Sequence, residues 1–212
     1  MLKRNVVIHS RQLACAFAGR DSQRALLIQP AVVIVCCNGQ GIIFAGGGCQ
    51  YSSRNFGRCT CAIVSIMKII AAERVFSAID VPWSVEEERR YLDSLSPREA
   101  AHVAVMKSGE IVGFQVLVRW EPTLTSMAHV AQLGTFLLPE CRRRGVGKAL
   151  FDVTEKFARG AGYSKIVIQV RASNEPAQKF YRRLGFRACG RLTKQVGIDG
   201  TEDDEVLMEL FL

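Results

Sequence analysis

The sequence predicts a mixed α/β domain, with helices packed on the faces of one sheet, behind an atypical N-terminal extension. Three observations carry that expectation. From residue 61 onward, periodicities of about 3.6 and 2 follow one another as two helices, three strands, helix, strand, helix and two strands. Short turns at Lys107-Ser108-Gly109-Glu110 and Asp199-Gly200 fold neighbouring strands into hairpins. The composition changes near residue 60: residues 1–60 hold seven Lys/Arg against one acid, Asp21, which is +6 of the chain's formal +8. Six of the eight cysteines lie in or next to that stretch, at 15, 36, 37, 49, 59 and 61.

Each element has a local reason. Ile63, Ile66, Met67 and Ile70 recur at helical spacing and predict a helix over roughly 61–74. Pro82 breaks the chain, Ser84 is placed to cap a second helix, and Glu87 stands three residues later, as in a capping box. Val85, Tyr91, Leu92 and Leu95 are its expected buried side, and Ser96-Pro97 ends it. The segment HVAVMKSGEIVGFQVLV (102–118) alternates around its turn as two strands. A third strand, HVAQLGTFLL (129–138), stops at Pro139. Over 145–159, Val146, Leu150, Val153 and Phe157 form one helical stripe, closed by Gly160-Ala161-Gly162. KIVIQV (165–170) is nearly all apolar and suits the middle of a sheet. Asn174 and Pro176 then start a helix in which Ala177, Phe180, Tyr181 and Leu184 share one side, and Gly185 stops it.

The extension allows several readings. Residues 25–53 carry no charge, but Gln29, Pro30, Asn38, Gln40 and several glycines interrupt them, which argues against a membrane span. Residues 1–24 are Arg-bearing and acid-poor, as a transit peptide would be, or as upstream sequence read from an early start codon would be. Cys36-Cys37 and Cys59-Thr60-Cys61 lack the paired spacing of a zinc site, so no metal is expected. Reduced thiols and a cytoplasmic location are the default. The expected boundary puts an extension of uncertain order at 1–58, including at most a weak first strand, and the folded domain at 59–212.

The segment CRRRGVGKAL (141–150) concentrates four cations and two glycines where a strand meets a helix. The first N–H groups of such a helix lack internal partners, and its dipole favours negative charge there. Gly145 and Gly147 allow a ligand near the backbone, and Arg142, Arg143, Arg144 and Lys148 surround it. This is the chemistry of a site for a multiply charged anion, with phosphates foremost. A solvated basic loop is the plainer alternative. The spacing is neither that of a Walker A loop nor that of a dinucleotide fingerprint.

Arg142-x-x-Gly145-x-Gly147 resembles the coenzyme A pyrophosphate loop of the GCN5-related N-acetyltransferases, the GNAT family. VRASNEPAQKFYRRLGF (170–186) resembles that family's second signature: a strand, an Asn, a helix bearing Phe-Tyr, then Leu-Gly-Phe. The two occur in order, and the resemblance covers roughly residues 60–212. It implies a mixed, mostly antiparallel sheet with helices on both faces. It also implies transfer of acetyl from acetyl-CoA, as co-substrate, to a primary amine by direct attack in a ternary complex. Backbone groups near Thr135, Phe136 and Leu137 would then meet the pantetheine arm. Arg142 through Lys148, including Val146, would hold the pyrophosphate. Asn174 would bond near the pantetheine or cap its helix, and Tyr181 would protonate the departing thiolate, unless it is a core aromatic like Phe180.

The expected base is where the chain departs from the family pattern. Gln132 stands where many relatives carry Glu. His129 has a suitable ordinary pKa, but an odd separation from Gln132 puts it on the opposite strand face unless a bulge intervenes. Glu73, Glu86, Glu87 or Glu88 acting through water, or a water chain alone, are alternatives. A second departure is the first strand: Gln50–Phe56 reads poorly as one, GIIFA (41–45) is a substitute, and absence is the third option.

The acceptor is a small-molecule or protein amine. The acids Asp199, Glu202, Asp203, Asp204 and Glu205 either attract cationic amines or form a solvated turn. No nucleic acid or membrane partner is expected, and a homodimer is compatible with the sequence. Two rivals remain: a domain that only senses acyl-CoA, and a basic nucleic-acid-binding protein, for which Arg182, Arg183, Arg187 and Arg191 speak. Near-neutrality after residue 60 and only two tryptophans and four tyrosines speak against the latter.

Overall fold

A computed structural model describes residues 33–38, 41–44 and 54–212, with side chains from residue 57 onward. The elements are β1 (Val33–Asn38), β2 (Gly41–Phe44), α1 (Arg54–Ala72), α2 (Val85–Asp93), β3 (Ala100–Val105), β4 (Ile111–Arg119), β5 (Val130–Leu137), α3 (Val146–Gly160), β6 (Lys165–Arg171), α4 (Glu175–Arg183), β7 (Arg187–Ile198) and β8 (Thr201–Phe211). They form one eight-stranded sheet in the order β2-β1-β3-β4-β5-β6-β8-β7. Every neighbouring pair is antiparallel except β5 and β6. The mixed, mostly antiparallel sheet with helices is therefore as expected.

The helices obey their local signals. Ser84 Oγ accepts from the Glu87 amide and Glu87 returns a carboxylate to the Ser84 amide at 2.9 Å, closing the capping box. Ile63, Ile66, Met67 and Ile70 of α1 are all buried in the core. Leu92 of α2 and Leu95 just beyond it are buried, but Val85 is exposed. Val85 is the first helical residue, beside the exposed cap, so it sits off the packed side. On α3 the buried set is Val146, Leu150, Phe151, Thr154 and Ala158, together with Gly147.

The start of the domain differs from expectation. Val33–Asn38 pairs antiparallel with β3, and Gly41–Phe44 folds back outside it as the edge. The substitute at 41–45 is thus a strand, but the place next to β3 belongs to 33–38. Helix α1 begins at Arg54, ahead of the expected start near 61, so the end of the Gln50–Phe56 tract is helical and not a strand. The readings of residues 1–24, and of 25–53 apart from these two strands, lie outside the described residues. Among the described residues no helix is long and apolar enough to cross a membrane, and no group of His, Cys, Asp and Glu could hold a metal.

Alternation along the strands sorts side chains by sheet face. His102, Gln115 and Thr135 are in register across β3, β4 and β5, so they share one face. That face carries α3 and α4: His102 Nδ1 lies 2.9 Å from Thr154 Oγ1 of α3, and the Tyr181 hydroxyl of α4 bonds Thr135. Phe114 and Phe136, stacked at 4.7 Å between centroids, and Gln132 point to the other face.

Candidate active site

The site begins where two parallel strands stop pairing. β5 and β6 are in register only at Val130–Gln132 with Lys165–Val167, although β5 runs on to Leu137 and β6 to Arg171. Along Leu133–Leu137 the edge of β5 that faces β6 therefore has no ladder partner, while its other edge stays paired with β4. A buried backbone edge without a strand partner is a set of donors and acceptors for an extended polar ligand. Thr135, Phe136 and Leu137 lie on it, all fully buried as side chains.

The chain leaves β5 through Pro139–Cys141 and turns into α3. Arg143 (φ 60) and Gly145 (φ 83) are both left-handed, which reverses the chain within three residues and aims the helix start back at the fork. An added Cβ at Gly145 would meet nothing within 4 Å, so its conformation, not crowding, is what calls for glycine. At Gly147 the need is different. A Cβ there would lie 3.2 Å from the Phe180 ring and 3.4 Å from Leu137, so Gly147 lets α3 rest on α4 and β5. The N-terminus of α3 carries no side-chain cap and no acid in its first turn. Its amide groups thus stay available beside the exposed Arg143, Arg144 and Lys148.

The four cations do not act alike. Arg142 is buried, with its side chain 2% exposed, and pairs through both terminal nitrogens with Glu73 just beyond α1, one contact being 2.7 Å. Its Nε donates to the Leu137 carbonyl at 3.2 Å. Arg142 therefore ties the loop to β5 and to the end of α1, and its guanidinium is already committed. Lys148 is exposed and pairs with Asp152 one turn later at 2.7 Å.

Tyr181 is fully buried, edge-on to Phe180 and Phe186, and its hydroxyl donates to Thr135 Oγ1 at 3.0 Å. Gln115 Nε2 donates to the same oxygen at 2.9 Å. Tyr181 thus has the packing of a core aromatic and a polar end at the unpaired stretch of β5. Asn174 is buried and caps α4, its Oδ1 accepting from the Ala177 amide at 3.1 Å and its Nδ2 reaching the Phe76 carbonyl at 3.4 Å.

The structure does not bring His129 to this group. It precedes β5 at the paired end, where its carbonyl accepts from the Ser164 and Lys165 amides. Six residues of strand at about 3.3 Å each put it roughly 20 Å from Thr135. No bulge interrupts β5 along β4, so no local kink shortens that distance.

On the opposite face lies a polar row the sequence reading did not isolate. Gln132 Nε2 donates to Gln169 Oε1 at 3.1 Å, and Gln169 Nε2 donates to Glu205 Oε2 at 3.3 Å. Glu205 is fully buried, and burial raises its pKa to about 7 against the nearby Arg171, which lowers it. The alternation in EDDEVLME was the available signal, since period 2 turns Asp203 and Glu205 to the same side of β8. The other acids of that hairpin are matched: Asp203 with Arg171, Asp204 with Arg191, Glu202 with Lys194 and Asp199 with Arg74. The acidic run is thus largely neutralised, which weakens the cation-attracting reading. Arg187 and Arg191 are likewise paired, with Glu209 and Asp204, which weakens the nucleic-acid reading.

Comparison with known proteins agrees with this fold. The profile of the acetyltransferase (GNAT) family matches residues 64–186. An N-alpha-acetyltransferase of Sulfurisphaera tokodaii is 30% identical over 106 residues, covering 46% of this chain and 62% of that protein. A solved GCN5-related N-acetyltransferase from Kribbella flavida superposes with a TM-score of 0.66 at 24% identity, covering 76% of this chain and 95% of that one. A phosphinothricin acetyltransferase from Sinorhizobium meliloti, solved in complex with acetyl-CoA, gives 0.65 at 20% identity and covers 72% and 84%.

Proposed function

Since the chain belongs to the acetyltransferase (GNAT) family and is an acyltransferase, we propose that it moves the acetyl group of acetyl-CoA onto a primary amine. The observation that carries this reading is the uncapped start of α3 beside the unpaired edge of β5. Together they offer amide donors and cations for a diphosphate and an extended polar edge for an amide-containing arm. The donor set fits that co-substrate.

Acetyl-CoA supplies a thioester-activated acetyl group and a thiolate that departs as coenzyme A. The amides of Gly145, Val146 and Gly147 hold the diphosphate, assisted by Arg143, Arg144 and Lys148. Arg142 keeps the loop in place through Glu73 and Leu137. Thr135 to Leu137 would orient the arm through their backbone, and an N–H of that edge would stabilise the negative charge that develops on the acetyl oxygen. Tyr181 holds the proton for the thiolate, and Thr135 fixes its hydroxyl. The amine enters as the free base, with its proton lost to water rather than to His129. The name of the Sulfurisphaera tokodaii relative makes a protein N-terminus the first acceptor to test.

Thermal denaturation with and without acetyl-CoA tests the reading, followed by free-thiol release with a panel of amines. Acetyl-CoA at a hundred times its dissociation constant should add about 2.7 kcal/mol of stability, and at least one amine should accelerate thiol release. A melting temperature indifferent to acetyl-CoA would refute the assignment.

A further inference from the structure

The row Gln132, Gln169 and Glu205 crosses the fork between β5 and β6. Gln132 is at the last paired position of β5, and Gln169 stands two residues beyond its partner Val167. Exposure falls along the row, from 8% at Gln132 to 4% at Gln169 and 0% at Glu205. The inner end is a carboxylate with one oxygen, Oε1, buried and without a hydrogen-bond partner.

This arrangement has a direction. A carboxylate only accepts, so ionised Glu205 obliges Gln169 to present its NH2 inward. The Gln169 carbonyl then faces Gln132 and takes the NH2 of that side chain. What Gln132 has left for the cleft is its carbonyl oxygen. A protonated Glu205 gains a donor, and the whole row can turn over, leaving the Gln132 NH2 outward.

Resting on the acetyltransferase reading above, we propose that Glu205 is a positioning residue for the acceptor. Through Gln169 it sets which end of Gln132 meets the amine. With Glu205 ionised, the Gln132 carbonyl accepts an N–H of the incoming amine. With Glu205 protonated, Gln132 opposes that amine with donors of its own.

The surroundings keep Glu205 near its turning point. Arg171 lies directly across on β6, but its Nε is engaged by Asp203 at 2.8 Å and its Nη1 by the Arg74 and Ser77 carbonyls. Asp203, two residues back on the same strand, adds negative charge. Opposite on β7 stands Leu192, which offers none. Burial is the larger influence and favours the neutral acid, bringing the transition to about pH 7.

The test is a pH titration of the full chain by NMR, following the side-chain NH2 groups of Gln132 and Gln169. Both should move with one common midpoint near neutrality, and both should stay still in Glu205→Gln. In Gln169→Leu, which cuts the link to Glu205, the remaining Gln132 signal should lose its response. An N-terminally free alanyl peptide and spermidine, each added to the coenzyme A complex, should shift the Gln132 signal at pH 8. Gln132→Met should raise the KM of the accepted amine about tenfold, the worth of one hydrogen bond, with the KM of acetyl-CoA unchanged. Static amide signals across the pH range, movement that survives in Glu205→Gln, or a Gln132 signal indifferent to both amines would overturn the proposal. Acetyl transfer without the titration leaves the acetyltransferase reading standing and removes this one. A titrating row in a protein whose melting temperature is indifferent to acetyl-CoA counts against the acetyltransferase reading instead.

Discussion

Thr135 accepts hydrogen bonds from Tyr181 and Gln115 at once, so loss of one donor leaves the other in place. Tyr181→Phe should therefore cost only about 1 kcal/mol of stability, read by urea denaturation. If Tyr181 is the acid, the same change should lower kcat at least about 100-fold and leave acetyl-CoA affinity alone. Unchanged turnover at every pH would remove Tyr181 from that role. Arg142 behaves otherwise, because its partner cannot be replaced. Glu73→Ala strands a guanidinium whose side chain is 2% exposed. The expected loss is about 3 kcal/mol, and a loss below about 1 kcal/mol would mean the pair acts as an exposed one.

At the scale of elements, the first turn of α3 joins binding to packing. Gly145→Ala forces a side chain into left-handed backbone at a cost of about 1–2 kcal/mol. Gly147→Ala presses on the Phe180 ring and displaces the helix start, so acetyl-CoA affinity should fall about tenfold, or about 1.4 kcal/mol. Calorimetric titration reads the second effect, and equal affinity in Gly147→Ala would show that the contact yields freely. These elements were legible in the sequence because their signals are local: the capping box at Ser84, the cap at Asn174, the glycines after Arg144. The loop's division of labour was not. Four cations look alike along the chain, and only the arrival of Glu73 from the end of α1 separates Arg142 from the rest. The same holds for Gln132 and Glu205, which are far apart in sequence and meet through β6. The strand beside β3 carries no local signal of its own, because a single uncharged tract holds both β1 and β2, and pairing alone tells them apart.

For the molecule as a whole, two buried groups pull stability in opposite directions with pH. Burial lowers the His102 pKa from 6.5 to about 4. Its neutral form is therefore worth on the order of 3 kcal/mol above pH 6.5, lost as pH falls toward 4. Burial raises the Glu205 pKa from 4.5 to about 7, so its cost sets in as pH rises from 4.5 and is complete above 7. Between pH 4.5 and 6.5 the two slopes offset each other. Glu205→Gln should leave a stability that climbs through that window and exceeds the native protein's at pH 8, as thermal melts will show. A variant less stable at pH 8 would mean the carboxylate is well matched. The central claim remains that the amides opening α3, next to the unpaired edge of β5, receive acetyl-CoA. Backbone amide chemical shifts followed during an acetyl-CoA titration read it most directly. The largest changes should fall at Gly145, Val146 and Gly147 and along Leu133–Leu137. Changes confined to other surfaces, with those amides still, would contradict it.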